Sequence, residues 1–448
     1  MRRKHLPGRI LAALLLVLLL AACGSAPQPL PQPVLPPAGT SLRLVVATDL
    51  HFLPRSLVRE GAAFTDAYAA GDGKQINYIP ELVDTLVAEL LADPPAALLL
   101  TGDLTLNGER EGHRELARRL LPLRQAGIPV LVIPGNHDIG NAFATGFNQA
   151  KTYSVRAVTA EEFAEIYREM GYGQAISRDT ASLSYVCALS EDLWVVMLDT
   201  NKYNREGGLS IPENSGALLP ETLTWLEEQL QEARRRGVEV ISATHHNLLN
   251  QSPRLSVGYT LDNAQEVLDL YREYDVRVNF SGHVHIQNIA GTRLGDRPFY
   301  DIATSSYAVY TNQYGVVDYL PGQSLRYHTQ EADVEGWAAR TGSQDPQLLG
   351  FEDYSYRFFY DLSYERSYAS LYMAQLNKDA DLELMAQTMA MLNPAYFSGY
   401  AADLREEVKA SDHYAMWRKH SGFAPIGYIN SMLAEQDQDP RSVTVPLG

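Results

Sequence analysis

Up to about residue 331 the chain repeats one pattern, a short apolar run that breaks off into a polar loop. Residues 42–48, 96–100, 128–133, 238–243 and 276–280 are dense in Val, Leu and Ile. Unbroken apolar runs of this length predict strands buried on both faces. Between them, residues 80–91, 111–125, 221–236 and 262–274 repeat their apolar positions at helical spacing. In the second of these helices, Leu116, Leu120 and Leu123 share one face. Residues 159–170 predict a short helix, with Thr159 as N-cap and Glu162 three positions on. Residues 182–189 and 193–199 predict a strand pair around the turn 190–192, and 299–303, 315–319 and 324–328 predict closing strands. Residues 202–219 have no periodicity and predict a long loop.

Strands alternating with helices predict an α/β architecture. After about residue 331 the strand pattern ceases. Residues 354–376, 380–392, 400–410 and 413–419 read as helices. The expectation is an α/β domain over 41–330 followed by an all-α C-terminal domain over 331–448.

The N-terminal segment has a different character. Arg2, Arg3, Lys4 and Arg9 precede a Leu/Ala run over residues 10–22. At about a dozen residues this run is short for a membrane span and suits a signal-peptide core. It ends Leu20-Ala-Ala-Cys23-Gly24, which resembles a bacterial lipobox. That resemblance implies a signal peptide over 1–22, lipidation of Cys23 and an extracytoplasmic, membrane-anchored lipoprotein. Residues 23–40 are rich in Pro, Ala and Gln and predict a semi-extended tether.

The 448 residues, 46% of them hydrophobic and 20% charged, are enough for two or three globular domains. The formal net charge is −17, and losing the four basic residues of the leader takes it to −21. Such a surface disfavours nucleic-acid duplex binding, which needs basic side chains against phosphates. It leaves open a small phosphorylated substrate, because bound cations can supply local positive charge. Cys23 and Cys187 are the two cysteines, so no cysteine framework is available. Cys187 lies in an apolar run and reads as a buried, inert thiol.

The candidate chemistry sits where the apolar runs end. Asp49-Leu-His51 follows the first, Gly102-Asp103 the second, Gly135-Asn-His-Asp138 the third, His245 the fourth and Gly282-His-Val-His285 the fifth. Ligands bind outside the carboxyl ends of strands in α/β sheets. Carboxylates, imidazoles and one amide at five such ends offer a donor set for hard or borderline divalent cations. No P-loop, dinucleotide-binding glycine fingerprint or nucleophile-elbow serine is present.

These five motifs, in this order, resemble the calcineurin-like metallophosphoesterases, in the branch of the class III cyclic-nucleotide phosphodiesterases, over about residues 42–319. The resemblance implies an αββα sandwich, two mixed sheets flanked by helices. It implies two divalent or transition metal ions, Mn, Fe or Zn, about 3.5–4 Å apart. Asp49, His51 and His285 would hold one ion and Asn136, His245 and His283 the other, with Asp103 bridging. His137 would assist catalysis without ligating metal, and Asp138 would fix its ring. The implied reaction is hydrolysis of a small phosphodiester, a cyclic nucleotide among the candidates, by attack of hydroxide held at the metal pair. A phosphomonoesterase or nucleotidase on the same site and a non-catalytic envelope binding lipoprotein are the alternatives.

Some residues stay open at this stage. His245 is favoured over His246 as the ligand, although Asn247 stands where the family usually has Pro. His113 is either a substrate contact or part of a helix start. Tyr307 and Tyr310 either line the pocket or pack in the core. The sequence carries no signal of oligomeric state.

Overall fold

The computed structural model describes residues 34–374, 379–420, 425–435 and 438–448. The leader and Cys23 lie outside the described residues. The segment expected to be a free tether is docked at its C-terminal end. The Pro36 carbonyl accepts from the Glu191 amide at 3.0 Å, and the Ala38 and Gly39 amides donate to the carboxylates of Glu191 and Asp192.

Two mixed sheets form the body. The first has six strands in the order Ser442–Pro446, Ser324–Glu331, Gln313–Leu320, Leu42–Ala47, Ala97–Thr101 and Val130–Ile133. Its last three are parallel, and the others join them antiparallel. The second has seven, in the order Asn288–Leu294, Arg297–Ala303, Val278–Ser281, Glu239–Thr244, Leu193–Leu198, Tyr185–Ala188 and Ser177–Arg178. Its four middle strands are parallel. Every strand that ends on a motif is therefore parallel to its motif-bearing neighbour, so the motifs of each sheet gather at one end of it.

Side-chain alternation explains why both faces of the second sheet are apolar. Along Leu193–Leu198, Val195 and Met197 enter the core shared with the first sheet, through Leu99, Val132 and Ile241. Trp194, Val196 and Leu198 face the other way, against Leu226 and Leu230 of helix Pro220–Arg236 and Val267 and Tyr271 of helix Ala264–Tyr274. On the first sheet, helix Ile79–Ala92 buries Ile79, Leu82, Val83, Leu86 and Leu90, the positions its periodicity marks. Thr159 and Glu162 form the expected capping box, but that helix ends at Ile166 and passes into a tight turn over Arg168–Tyr172. Its break lies at Gly171, whose φ of 111° and close approach to the Tyr185 ring leave no room for a side chain.

The C-terminal region is helical, with Phe351–Met373, Asp379–Ser398, Ala401–Ala410 and Asp412–Lys419 as its main elements. It departs from the all-α expectation at its end. Ser442–Pro446 pairs antiparallel with Ser324–Glu331 and forms the outer edge of the first sheet. The helices share an apolar core with Val284, Ile286 and Ala303 of the second sheet and its loops. Val284 lies between His283 and His285, so the loop carrying two candidate ligands is packed into the helical region. Among the described residues no helix is long and apolar enough to cross a membrane.

Candidate metal centre

The loops that follow strands Leu42–Ala47, Ala97–Thr101, Val130–Ile133, Glu239–Thr244 and Val278–Ser281 converge. Asp49, His51, Asp103 and His285 bring one ligand atom each within 4.8 Å of one another, and so do Asp103, His245 and His283. Asp103 belongs to both groups. His51 Nε2 and His285 Nε2 stand 3.1 Å apart, and His285 Nε2 is 3.1 Å from Asp49 Oδ1. His245 Nε2 lies 3.5 Å from Asp103 Oδ1 and 3.1 Å from Asn136 Oδ1, which places the amide in the second group.

The backbone is bent to achieve this. Asp49, His51, Asp103, His283 and His285 all have positive φ, between 46° and 67°. For a residue with a Cβ this conformation costs about 1–2 kcal/mol each. The loops are laced together against that cost. Asp49 N donates to Gly102 O, His51 N to Asp103 O and Gly282 N to His245 O, all within 3.0 Å. The His283 amide also donates to Asp49 Oδ2 at 3.0 Å. Gly135 is required by contact, because a Cβ there would sit 2.2 Å from Asp103 Oδ1.

Hydrogen bonds select the tautomers. His245 Nδ1–H donates to the Thr101 carbonyl at 2.9 Å, which leaves Nε2 as the free lone pair. His283 Nε2–H faces the Asn214 and Gly258 carbonyls at 2.8 and 3.1 Å, which leaves Nδ1 free. His246 turns away, with Nδ1 2.8 Å from Thr200 Oγ1, so the structure brings His245 to the cluster and not His246. Burial lowers the pKa of His51 and His245 and takes His283 down to about 4, so these imidazoles are neutral and able to ligate. Burial and the nearby charge of Asp49 push the Asp103 carboxyl up to about 7. Asp49 Oδ1 and His51 Nδ1 are buried without a hydrogen-bond partner among the described residues. Two dry carboxylates, three neutral buried imidazoles, orphaned polar atoms and close donor pairs at 3.1–3.5 Å fit divalent cations.

Two sequence expectations need correction. Asp138 does not hold His137. Its buried carboxylate accepts from the amides of Leu104, Thr105 and Gly135 and from Thr105 Oγ1, at 2.8–3.0 Å, tying the Asp103 loop to the Asn136 loop. His137 is oriented instead by the Leu106 carbonyl, 2.8 Å from Nδ1, with Asn107 Oδ1 at 3.2 Å. Its Nε2 faces the cluster, 3.9 Å from Asp103 Oδ2. His113 is not at the substrate side. It is fully buried behind the centre, where its ring bonds Thr105 Oγ1, the Asp138 carbonyl and Tyr167 Oη. Tyr307 is core, donating to the Leu82 carbonyl.

The centre opens into a cavity of about 500 Å³. Asp103, Asn136, His137, His283 and His285 form its floor, and Phe359, Arg366, Phe397 and Trp417 of the C-terminal helices stand above them. Lys74, Asp72, Asn214 and Tyr259 also line it, none of them singled out by sequence. The faint signal for Lys74 was its place in Gly71-Asp-Gly-Lys74, a glycine-bearing turn with no apolar periodicity.

Comparison with known proteins agrees with this geometry. The calcineurin-like phosphoesterase profile matches residues 42–287, and the chain belongs to that family. It is accordingly a metal-dependent phosphoester hydrolase with a centre for two metal ions. A second profile, the C-terminal domain of cyclic nucleotide phosphodiesterase, matches residues 333–439. A probable cyclic nucleotide phosphodiesterase of Ruthia magnifica is 34% identical over 82 residues, 18% of this chain and 32% of that protein. The match thus spans about a third of the relative's length. A dimetal phosphatase from Danio rerio aligns with a TM-score of 0.44 at 12% identity, covering 65% of this chain and 96% of that one. A purple acid phosphatase from yellow lupin aligns with a TM-score of 0.42 at 12% identity, covering 66% and 52%.

Proposed function

We propose that the protein hydrolyses small organic phosphodiesters, cyclic nucleotides among them, at a dinuclear metal centre. The observation that carries this reading is the convergence of Asp49, His51, Asp103, Asn136, His245, His283 and His285 in one cluster, part of which floors a cavity lined by the C-terminal helices. The likeness of that helical region to the C-terminal domain of cyclic nucleotide phosphodiesterases supports the diester over the monoester.

Asp49, His51 and His285 would hold one ion and Asn136, His245 and His283 the other, with Asp103 shared by both groups. When bound, such a pair would supply positive charge for the phosphoryl oxygens and lower the pKa of a water. The chain's own groups do the rest. The Leu106 carbonyl fixes His137 with Nδ1–H inward, so that Nε2 points into the cavity, where it bonds a phosphoryl or leaving oxygen. Burial, with the nearby positive charge of Lys74, lowers His137 to about 4, and a bound anion opposes that shift and favours its proton. Phe359, Phe397 and Trp417 of the helical roof line the cavity, and shielding of a bound ester from water by these rings would strengthen each of these contacts.

The test is a panel on the purified mature domain loaded with Mn, Fe or Zn. It compares a bis-aryl phosphodiester, an aryl phosphomonoester and 3′,5′-cyclic nucleotides. Higher kcat/KM on the diesters is expected, and preference for the monoester would replace the reading with a phosphomonoesterase.

The same proposal places the protein outside the cytoplasm, anchored through lipid on Cys23. The basic leader, Leu/Ala core and Leu20-Ala-Ala-Cys23-Gly24 support this. Cys23→Ala should move the protein from the detergent-extracted membrane fraction to the soluble one, and an unchanged distribution would refute the anchor.

A further inference from the structure

We propose that Lys74 is a further substrate-contacting residue, whose ammonium binds the non-bridging oxygens of the ester phosphorus on the side facing away from the metal centre. The proposal rests on the phosphoesterase reading above and adds a residue to it.

Lys74 is 9% exposed and lines the same cavity as Asp103, Asn136, His137 and His285. Its ammonium makes no hydrogen bond or ion pair with the described residues, and the nearby Asp72 carboxylate, which feels its charge, is hydrogen-bonded to Arg366 instead. A buried unpaired ammonium is costly and is retained where something else compensates it. The other cation of the cavity wall is already engaged. Arg366 pairs with Asp72 and donates to the Ala70 carbonyl at 2.8 Å.

The lysine is also held in place. Its amide donates to the Gly71 carbonyl at 3.0 Å, and the next residue is fixed by Gln75 N to Ala308 O at 2.8 Å. The Phe359 ring closes over Gly73, where a Cβ would meet it at 2.9 Å. So the backbone that carries Lys74 is held by both the catalytic body and the helical roof. Two divalent cations held by the carboxylates of Asp49 and Asp103 would leave a net positive centre. A lysine facing it across one cavity is repelled unless an anion stands between them. A phosphoryl group bound at the centre is that anion, and a pre-positioned cation on its far side stabilises the charge gained on attack.

The experiment uses the metal-loaded protein, inorganic phosphate as probe and a bis-aryl phosphodiester as substrate. Lys74→Met should weaken phosphate binding, read by calorimetry, ten- to a hundredfold, the loss expected for one charge-assisted contact. The kcat/KM should fall similarly, and Lys74→Arg should recover part of both. Metal content should stay at the wild-type level. The metal-free Lys74→Met protein should melt no lower than wild type, since an uncompensated buried charge has gone. Unchanged phosphate affinity, or a lowered melting temperature with metal loss, would overturn the role of Lys74 and leave the hydrolase reading intact. A wild-type protein that neither binds phosphate nor turns over any phosphoester would overturn both.

Discussion

Asp138 is the residue at which fold and chemistry are most directly separable. Its carboxylate takes four donors in a dry interior, the amides of Leu104, Thr105 and Gly135 and the hydroxyl of Thr105. Asp138→Ala leaves all four without that acceptor. An unsatisfied buried donor costs about 1–3 kcal/mol. His113 Nε2 donates to the Asp138 carbonyl at 3.0 Å and offers the Thr105 hydroxyl no second acceptor, so all four donors carry the loss. Partial relaxation of the loops places the net destabilisation at about 3–5 kcal/mol. With an unfolding entropy of about 2.1 cal/mol/K per residue, a chain of about 400 ordered residues should melt about 5 °C lower. The Asp103 and Asn136 loops are the two joined by this carboxylate, so metal content should fall with stability. Asp138→Asn keeps one acceptor oxygen but turns an NH₂ on the remaining amides, and should lose nearly as much. The assays are calorimetric melting and metal analysis after gel filtration. If Asp138→Asn kept its metals and melting temperature and lost turnover as His137→Ala does, Asp138 would be an orienting partner of His137, contrary to the observed bonds.

Other outcomes follow from the same geometry. Asp103→Ala should lose both metals and activity together, whereas His137→Ala should keep the metals and lose about 10²–10⁴-fold in turnover, both read by metal analysis and steady-state kinetics. Burial holds the Glu109 carboxyl up at about 7 against an ordinary 4.5, so its protonated form favours the fold. That contribution is complete below pH 4.5 and is lost as pH rises through 7, a swing of about 3 kcal/mol. In urea titrations Glu109→Gln should therefore gain on wild type by roughly that amount between pH 4.5 and pH 9, and a pH-independent difference would refute it. Burial pushes the Cys187 thiol up to about 12, so it should resist a thiol-disulfide reagent at pH 8 until the protein unfolds.

The body of the fold was legible because its strands are buried on both faces. Runs such as 96–100 and 128–133 carry no polar interruption, and the positions where they stop are where the side chains of Asp103 and Asn136 begin. Order along the chain thus encoded convergence in space. What stayed hidden was whatever depends on contacts between distant segments. Ser442–Pro446 is five residues long and reads as a strand only because the edge of Ser324–Glu331 is free to receive it. The partners of Asp138 are backbone amides, which have no residue identity to read, so a side-chain-to-side-chain pairing with the adjacent His137 was the natural guess. Lys74 has no pattern around it. It becomes informative only when the helices that begin at Phe351 are seen standing over the same cavity.

The C-terminal strand has one more consequence. Ser324–Glu331 and Ser442–Pro446 are adjacent rungs of one ladder, so the whole helical region is the connection of an antiparallel pair, grown to more than a hundred residues. A vault with both feet in the same sheet has no single hinge about which to swing. The helical region is thereby tied to the first sheet at both of its ends.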